Sequence, residues 1–236
     1  MRKRTKAATI APSQATPVHT PTATAAGALP WSQQLDLKAL RLAVHGWWLG
    51  NPLVYKPGVA DIAAVARELA RAGATSGTLV LSDTPAGGGD HLASDGAETK
   101  AGVLLDAEAA SHDSLHAVLI LRPPMPRVSL GAAAAQAVAE VAQAALGRPC
   151  AIRWRWHIVL REHGQGSSRL CRVSAEQDDD VALIDVRLDL RGLWQAALDD
   201  AGMPAAALFA RSDWREVFLA RVLHTLDGRL RALHVA

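Results

Sequence analysis

The pattern of apolar and polar positions predicts both helices and strands along the chain. The clearest helix covers residues 60–74, because Ile62, Val65 and Leu69 recur at helical spacing and Gly73 brings it to an end. Two further segments show helical periodicity, at residues 131–146 and 212–233. Residues 40–50 fit the start of either a helix or a strand. The helices therefore lie at intervals along the chain, separated by other elements.

Short apolar runs and strict alternation predict the strands. They are expected at residues 75–83, 100–109, 114–124, 153–160, 168–176 and 178–192. A glycine-rich loop is predicted at residues 84–98, and a tight hairpin turn at residues 161–167. Strands joined as hairpins, with a few segregated helices, predict an α+β fold in which helices pack on a mixed, mostly antiparallel sheet.

The segment RWRWHIVL, residues 153–160, raises the first question of function. Alternation on a strand places Arg153, Arg155 and His157 on one face and the tryptophans on the other. Arg169 is expected across the following hairpin. Two interpretations remain open, because the cationic face is either simply solvated or a site for a negatively charged ligand.

Composition and charge narrow the class of protein. The chain has 236 residues, of which half are hydrophobic, enough for one sizeable domain. Its formal net charge is +2, but residues 1–34 contain four basic residues and no acid, so residues 35–236 carry 2 − 4 = −2. The folded part is close to neutral, and we expect no nucleic-acid partner. We predict a disordered, basic, Ala/Thr/Pro-rich tail at residues 1–30 and one domain at residues 31–236.

Two cysteines, Cys150 and Cys171, show no CxxC or metal-ligand spacing, which favours a reduced compartment. The start of the chain lacks the apolar run of a signal peptide, and no segment approaches the roughly 18 apolar residues of a membrane span. We therefore expect a cytoplasmic protein without a membrane partner.

Five segments, taken in order, resemble the catalytic domain of biotin protein ligases and lipoate protein ligases. They are GTLVLSDTPAGGG, SLHAVLILRPP, RWRWH, GQGSSRLCRVSAE and VALIDVRLDL. The resemblance extends over roughly residues 44–230. It implies a class II synthetase-like α+β domain that uses ATP and Mg²⁺ to activate biotin or a lipoyl-type acid. The acyl group would pass to a lysine of a biotinyl or lipoyl carrier domain. Of that family's further domains, we expect neither the small C-terminal domain nor a DNA-binding domain.

The same resemblance assigns candidate site residues. Arg169 matches the family's essential lysine and is the candidate catalytic residue, while Arg172 matches a glycine three positions later. The candidate ligand-binding residues are the adenylate-loop glycines, the segment that matches Lys-Trp-Pro-Asn-Asp, and the residue at the glycine position. They are Gly87, Gly88, Gly89, Arg153, Trp154, Arg155, Trp156, His157 and Arg172. A tryptophan is usual at the Trp154 position, so we expect that side chain to be structural. Trp156 replaces a polar residue and is expected to cover or block the pocket.

These departures from the family pattern leave two functions open. The chain is either a divergent ligase or a catalytically inactive ligase fold that binds an acyl ligand, a nucleotide or a carrier domain as a regulator. An unrelated α+β binding domain is the third alternative. No metal site is predicted, because His112 and His116 have no third ligand nearby and Asp178–Asp180 fit a solvated turn.

Overall fold

The computed structural model describes residues 35–59, 61–83, 114–122, 127–160, 168–178, 180–198 and 205–235. Seven strands form one sheet: β1 (Leu53–Tyr55), β2 (Leu79–Asp83), β3 (Ser114–Leu121), β4 (Cys150–Arg153), β5 (His157–Leu160), β6 (Arg169–Asp178) and β7 (Val181–Asp189). Their order in the sheet is β1-β2-β3-β7-β6-β5-β4. β1 pairs with β2 in parallel, and every other pairing is antiparallel. The predicted mixed, mostly antiparallel α+β fold is confirmed.

Six helices accompany the sheet in the described part of the chain. They are α1 (Leu37–Ala43), α2 (Ile62–Arg71), α3 (Arg127–Leu146), α4 (Leu190–Leu198), α5 (Ala205–Phe209) and α6 (Trp214–Val235). The predicted helices at residues 60–74, 131–146 and 212–233 correspond to α2, α3 and α6. At residues 40–50, where helix and strand were both open, the chain completes α1 and continues in turns.

Local capping explains where the first two helices begin. The side chain of Asp61 accepts a hydrogen bond of 2.9 Å from the backbone N–H of Ala64, and Asp36 does the same for Ala39. Each bond satisfies one of the backbone donors that the first turn of a helix leaves unpaired. After α2 the chain turns through Gly73 in the left-handed region, at φ 87°. This is the conformation for which glycine is favoured at a helix end.

The sheet buries its two faces unequally. The larger core lies between one face and the helices α1, α3, α4, α5 and α6. On the other face α2 forms the smaller core with four strand residues, Val80, Val118, Ile120 and Leu183. Because α2 covers only this part of its face, the same face continues beyond it with polar side chains.

The predicted single strand at residues 153–160 is wrong. β4 ends at Arg153, residues Trp154–Trp156 form a 3₁₀ turn, and β5 returns antiparallel with His157 opposite Arg153. Arg155 and Trp156 both have positive φ, at 59° and 55°. Arg155 therefore does not share a strand face with Arg153 and His157. The expectation of a structural Trp154 is also wrong, since its side chain is 80% exposed at the tip of the hairpin.

Tertiary packing holds this turn in place. Trp156 is half-buried against the larger core, and its ring lies on Gly131 of α3. A side chain at position 131 would occupy the same space as the ring. The absence of a Cβ on α3 thus allows the chain to reverse through two residues that rarely adopt positive φ.

Several predictions fall on residues that the structure does not describe. These are the N-terminal tail, the glycine-rich loop, the strand at residues 100–109 and the turn at residues 161–167. The strands on either side of that turn, β5 and β6, do pair antiparallel as predicted. Strand β1 was not predicted. Among the helices that the structure describes, none has both the length and the apolarity to cross a membrane.

Candidate functional site

Five basic or titratable side chains form a line across the polar part of the α2 face. The strand register places Arg153 opposite His157, His157 opposite Arg172, Arg172 opposite Arg187, and Arg187 opposite His116. Directly opposed residues of antiparallel strands project from the same face of a sheet. The five side chains, which we call the cation row, therefore cross β4, β5, β6, β7 and β3 in a single line.

The cation row lies beside α2 and not beneath it. Side chains alternate between the two faces along β7, so Leu183 and Arg187 lie on the same face. Leu183 packs under α2, and Arg187 belongs to the row. The side chain of Arg187 is half exposed, Arg153 is exposed, and Arg172 is partly buried. The arginines of the row can thus be reached by an external ligand from the side of the sheet opposite the larger core, whereas His116 is buried.

Like charges stand next to each other in this row. Arg172 and Arg187 are directly opposed, and such pairs destabilise a sheet. No side-chain hydrogen bond or ion pair joins Arg172 to another described residue, whereas the guanidinium of Arg187 lies 3.6 Å from the carboxylate of Asp185. The row therefore concentrates positive charge, of which the described residues neutralise only a part. An oxyanion of a ligand would remove the repulsion and satisfy the guanidinium donors.

One end of the row forms a compact cluster of three side chains. Nε2 of His116 lies 2.6 Å from Oδ1 of Asp185, and Nε of Arg187 lies 3.0 Å from the same ring nitrogen. His116 and Asp185 are buried, at 8% and 9% exposure. A single ring nitrogen cannot donate to the carboxylate and accept from the guanidinium at once. The proton on Nε2 therefore decides which of the two contacts is a hydrogen bond.

The structure brings together only some of the residues that the sequence singled out. Arg153, His157 and Arg172 lie in the row. Arg169 lies on β6 opposite Val159, after a register shift in the β5–β6 pairing. This places it on the same face as the row, one step towards the start of β6.

Three other candidates, Trp154, Arg155 and Trp156, lie at the hairpin tip, away from the row. The guanidinium of Arg155 lies 4.5 Å from the ring centroid of Trp154, in a cation–π contact. Trp156 points into the contact with Gly131. The glycines at 87–89 lie outside the described residues. The proposed roles of all these residues in ligand binding stay predictions.

Sequence reasoning missed Arg187, His116 and Asp185 as members of one site. They lie far apart in the chain, and only the β3–β7 pairing places them together. The alternation of charged and apolar residues at 185–189 predicts a strand, but it does not reveal which residue of β3 stands opposite Arg187.

The two cysteines are poorly suited to nucleophilic chemistry. Burial raises the pKa of the Cys171 thiol well above its usual value, and burial raises that of Cys150 to about 11. Cys171 packs into the larger core, on the face of the sheet opposite the row. At neutral pH both side chains therefore stay as thiols, and the thiolate is the reactive form.

Two cavities lie away from the cation row. A polar cavity of about 500 Å³ lies where α2 ends near the β6–β7 turn, with the ion pairs Arg67–Glu176 and Arg122–Asp180 in its wall. An apolar groove of about 330 Å³ lies between α3 and α6, beside Trp47 stacked on His224. Neither contains a residue that the sequence analysis assigned to the site.

Comparison with solved structures supports the same fold. The chain is similar to a variant biotin protein ligase from Aquifex aeolicus in complex with biotin, with a TM-score of 0.50 and 16% identity over 76% of this chain and 70% of that chain. A biotin protein ligase from Leishmania major in complex with biotinyl-5-AMP gives a TM-score of 0.39 and 17% identity, over 75% of this chain and 80% of that one. A biotin protein ligase-like protein of unknown function from a Silicibacter species gives 0.38 and 20%, over 78% and 79%. The Aquifex comparison confirms the ligase-like fold that the sequence resemblance implied.

Comparison by sequence gives nothing further. No family model matches the chain, and no curated protein matches it. At this level of identity the structural likeness establishes the fold alone, so the function has to be argued from the side chains of this chain.

Proposed function

We propose that the chain is a divergent biotin/lipoate protein ligase-like protein that activates a carboxylic acid with ATP and transfers the acyl group to a lysine of a carrier domain. The observation that carries this proposal is the cation row on the open part of the sheet in a ligase-like fold. We place the activity in the cytoplasm, where free thiols such as those of Cys150 and Cys171 persist.

The proposed reaction requires the binding of neighbouring oxyanions. In the first step a carboxylate oxygen attacks the α-phosphorus of ATP and pyrophosphate leaves. In the second step the lysine amine attacks the acyl carbon, gives up a proton, and AMP leaves with the electrons of the broken C–O bond. Arg153 and Arg169 would hold the carboxylate and the α-phosphate, because a guanidinium binds such groups through two parallel N–H donors.

Mg²⁺ is implied by the resemblance. Among the described residues no three or more His, Cys, Asp or Glu side chains are grouped to hold a metal ion by themselves. Mg²⁺ is usually held by one or two carboxylates together with substrate phosphates. The chemistry assigned to this chain is the binding and orientation of oxyanions by arginine.

ATP–pyrophosphate exchange tests the first step. The full chain is incubated with ATP, Mg²⁺, labelled pyrophosphate and one acid at a time from a panel that includes biotin and lipoate. We expect acid-dependent exchange, and a decrease of about tenfold or more for Arg153→Ala, since a hydrogen bond to a charged group contributes about 1.5–3 kcal/mol. Arg221→Ala is the matched control, because Arg221 is exposed on α6 at the opposite face of the sheet. Exchange that is equal in both variants would exclude the row as the site.

One observation favours the second function, a ligase fold that binds without turnover. Arg172 replaces a glycine of the family pattern, and its side chain stands in the middle of the face that would receive the acyl group. Calorimetric titration with non-hydrolysable biotinyl- and lipoyl-adenylate analogues separates the two functions, because binding without exchange indicates a binding protein. The double substitution Arg169→Lys, Arg172→Gly is then expected to raise exchange. No change in that variant would count against this assignment of the site.

A further inference from the structure

We propose that the acyl ligand of the cation row is a dicarboxylic acid, whose second carboxylate is held between Arg172 and Arg187. This inference rests on the proposed function and names the class of acid that the same site takes. It departs from biotin and lipoate, which carry one carboxylate each and an uncharged ring.

The sheet face around the cation row is predominantly polar. A biotin or lipoyl ring is bound through apolar contacts with only a few polar groups to orient it. The apolar cluster of this sheet face that includes Val118 and Leu183 is already covered by α2, and Val159, opposite Arg169, is buried as well. Beyond them, every strand from β4 to β3 contributes an arginine or a histidine to the row. Among the described residues this surface suits a charged ligand better than an apolar ring.

The described carboxylates do not balance the positive charges of the row. Arg153, Arg172 and Arg187 bring three positive charges to the row, and Arg169 brings a fourth on the same face. Among the described residues Asp185 contacts the row and lies 2.6 Å from His116, and Asp189 adds a second carboxylate on the same face of β7. In the proposed reaction the reacting carboxylate is converted to a mixed anhydride and loses its charge. The α-phosphate can pair with Arg153, but the Arg172–Arg187 pair then needs an oxyanion from elsewhere in the ligand. A second carboxylate supplies it.

The spacing of the arginines along the row also fits a ligand with two separated carboxylates. Arg172 and Arg187 are directly opposed on adjacent strands, so their backbones are about 4.8 Å apart. Guanidiniums on two directly opposed residues can bind one carboxylate from both sides with charge-assisted hydrogen bonds. From Arg153 on β4 to Arg187 on β7 the row covers three strand spacings, roughly 14 Å. It is therefore long enough to separate a reacting carboxylate from a distal one.

The test compares matched acids on the full chain by calorimetric titration. Suberate and adipate are compared with octanoate and hexanoate, which have the same number of carbons and one carboxylate. We expect the dicarboxylates to bind at least tenfold more tightly. Arg172→Ala and Arg187→Ala should abolish this preference, while Arg172→Lys, which keeps the charge but not the paired donors, should retain part of it. Arg221→Ala should leave it unchanged.

Three outcomes of the comparison of acids would overturn the inference. They are equal affinity for suberate and octanoate, tighter binding of biotin or lipoate than of suberate, and a preference that survives Arg172→Ala. Inorganic pyrophosphate forms a separate arm, since phosphate oxygens could occupy the same pair. If pyrophosphate displaces suberate with the same dependence on Arg172, the pair binds phosphate and the dicarboxylate inference fails.

The exchange assay separates this inference from the function on which it rests. Exchange supported by biotin or lipoate but not by suberate would refute the dicarboxylate inference and leave acyl activation standing. Suberate binding that depends on Arg172, without exchange for any acid, would refute acyl activation and leave the ligand class standing. Exchange with suberate that falls in Arg172→Ala would support both.

Discussion

Replacing Gly131 by alanine tests whether Trp156 holds the β4–β5 hairpin in place. An ideal Cβ at position 131 would lie 2.2 Å from Cη2 and Cζ3 of the Trp156 ring and 2.8 Å from its Cε3. Carbon atoms in contact lie about 3.5–4.0 Å apart, so the ring has to move. Because Trp156 directly precedes His157, its movement would also displace the hairpin that carries two members of the cation row.

Two opposing effects set the magnitude. Alanine in a helix interior is favoured over glycine by about 1 kcal/mol, and overpacking costs about 1–3 kcal/mol. We therefore expect Gly131→Ala to be neutral or to lower the free energy of unfolding by up to about 2 kcal/mol. In a Trp156→Ala background the clash is gone, and the same substitution should raise the free energy of unfolding by about 1 kcal/mol.

Urea unfolding followed by far-UV circular dichroism measures all four members of this cycle. Circular dichroism is preferred to fluorescence, since one tryptophan is removed. An interaction energy between positions 131 and 156 of at least about 1 kcal/mol would support the packing. If Gly131→Ala stabilises the wild type and the Trp156→Ala variant equally, the ring does not lie on α3 and the account of the hairpin fails.

Three further predictions concern other parts of the fold. Gly77→Ala should prevent stable folding, because its Cβ would lie 2.1 Å from the carbonyl oxygen of Trp48. Gly73 also has a positive φ but faces open space, so Gly73→Ala should lower the free energy of unfolding by only about 1–2 kcal/mol in thermal or urea unfolding. Burial raises the pKa of the Glu216 carboxyl above its usual 4.5, so the folded state holds this proton to higher pH than the unfolded state does, and the free energy of unfolding falls as pH rises through the folded-state pKa. Glu216→Gln should remove this pH-dependent fall. A difference in stability between the two proteins that is constant from pH 4 to pH 8 would contradict the prediction. Because the pKa of Cys150 is raised to about 11, its reaction with a disulfide reagent should be slow at pH 8 and accelerate up to pH 11.

Local periodicity predicted most of the elements. Helix α2 was predicted because Ile62, Val65 and Leu69 follow helical spacing, and the structure buries that stripe against Val80. Strands β2 and β3 were predicted from short apolar runs, and both lie inside the sheet, between the edge strand β1 and the central strand β7. In these segments the face that packs is set by the residues themselves, so the sequence carries the signal.

The β4–β5 hairpin was missed because its cause is not local. RWRWH alternates like a strand, and it contains none of the glycine, asparagine, aspartate or proline residues that mark a turn. The reversal at Arg155 and Trp156 depends on the space above Gly131, which follows from the packing of α3. Tertiary contact therefore overrides the strand pattern.

The cation row was only partly predictable for a related reason. The alternation at residues 153–157 led to the correct expectation of cations on one face, but included Arg155 and omitted Arg187 and His116. Membership of the row depends on which residues stand opposite one another across five strands. A shift of one residue in any pairing would move a side chain to the other face, and the register shift after Ile158 shows that the pairing is not uniform.

Two unfavourable features meet at the same end of this sheet. Arg172 and Arg187 are opposed like charges, where a pair of opposite charges or β-branched residues would contribute about 0.2–1 kcal/mol to stability. The adjacent hairpin holds Arg155 and Trp156 in a backbone conformation that costs about 1–3 kcal/mol each. Unfavourable local features such as these are commonly found at functional sites, and their cost in stability is offset elsewhere. An oxyanion held by the row would offset this cost here, because it neutralises the repulsion between the arginines.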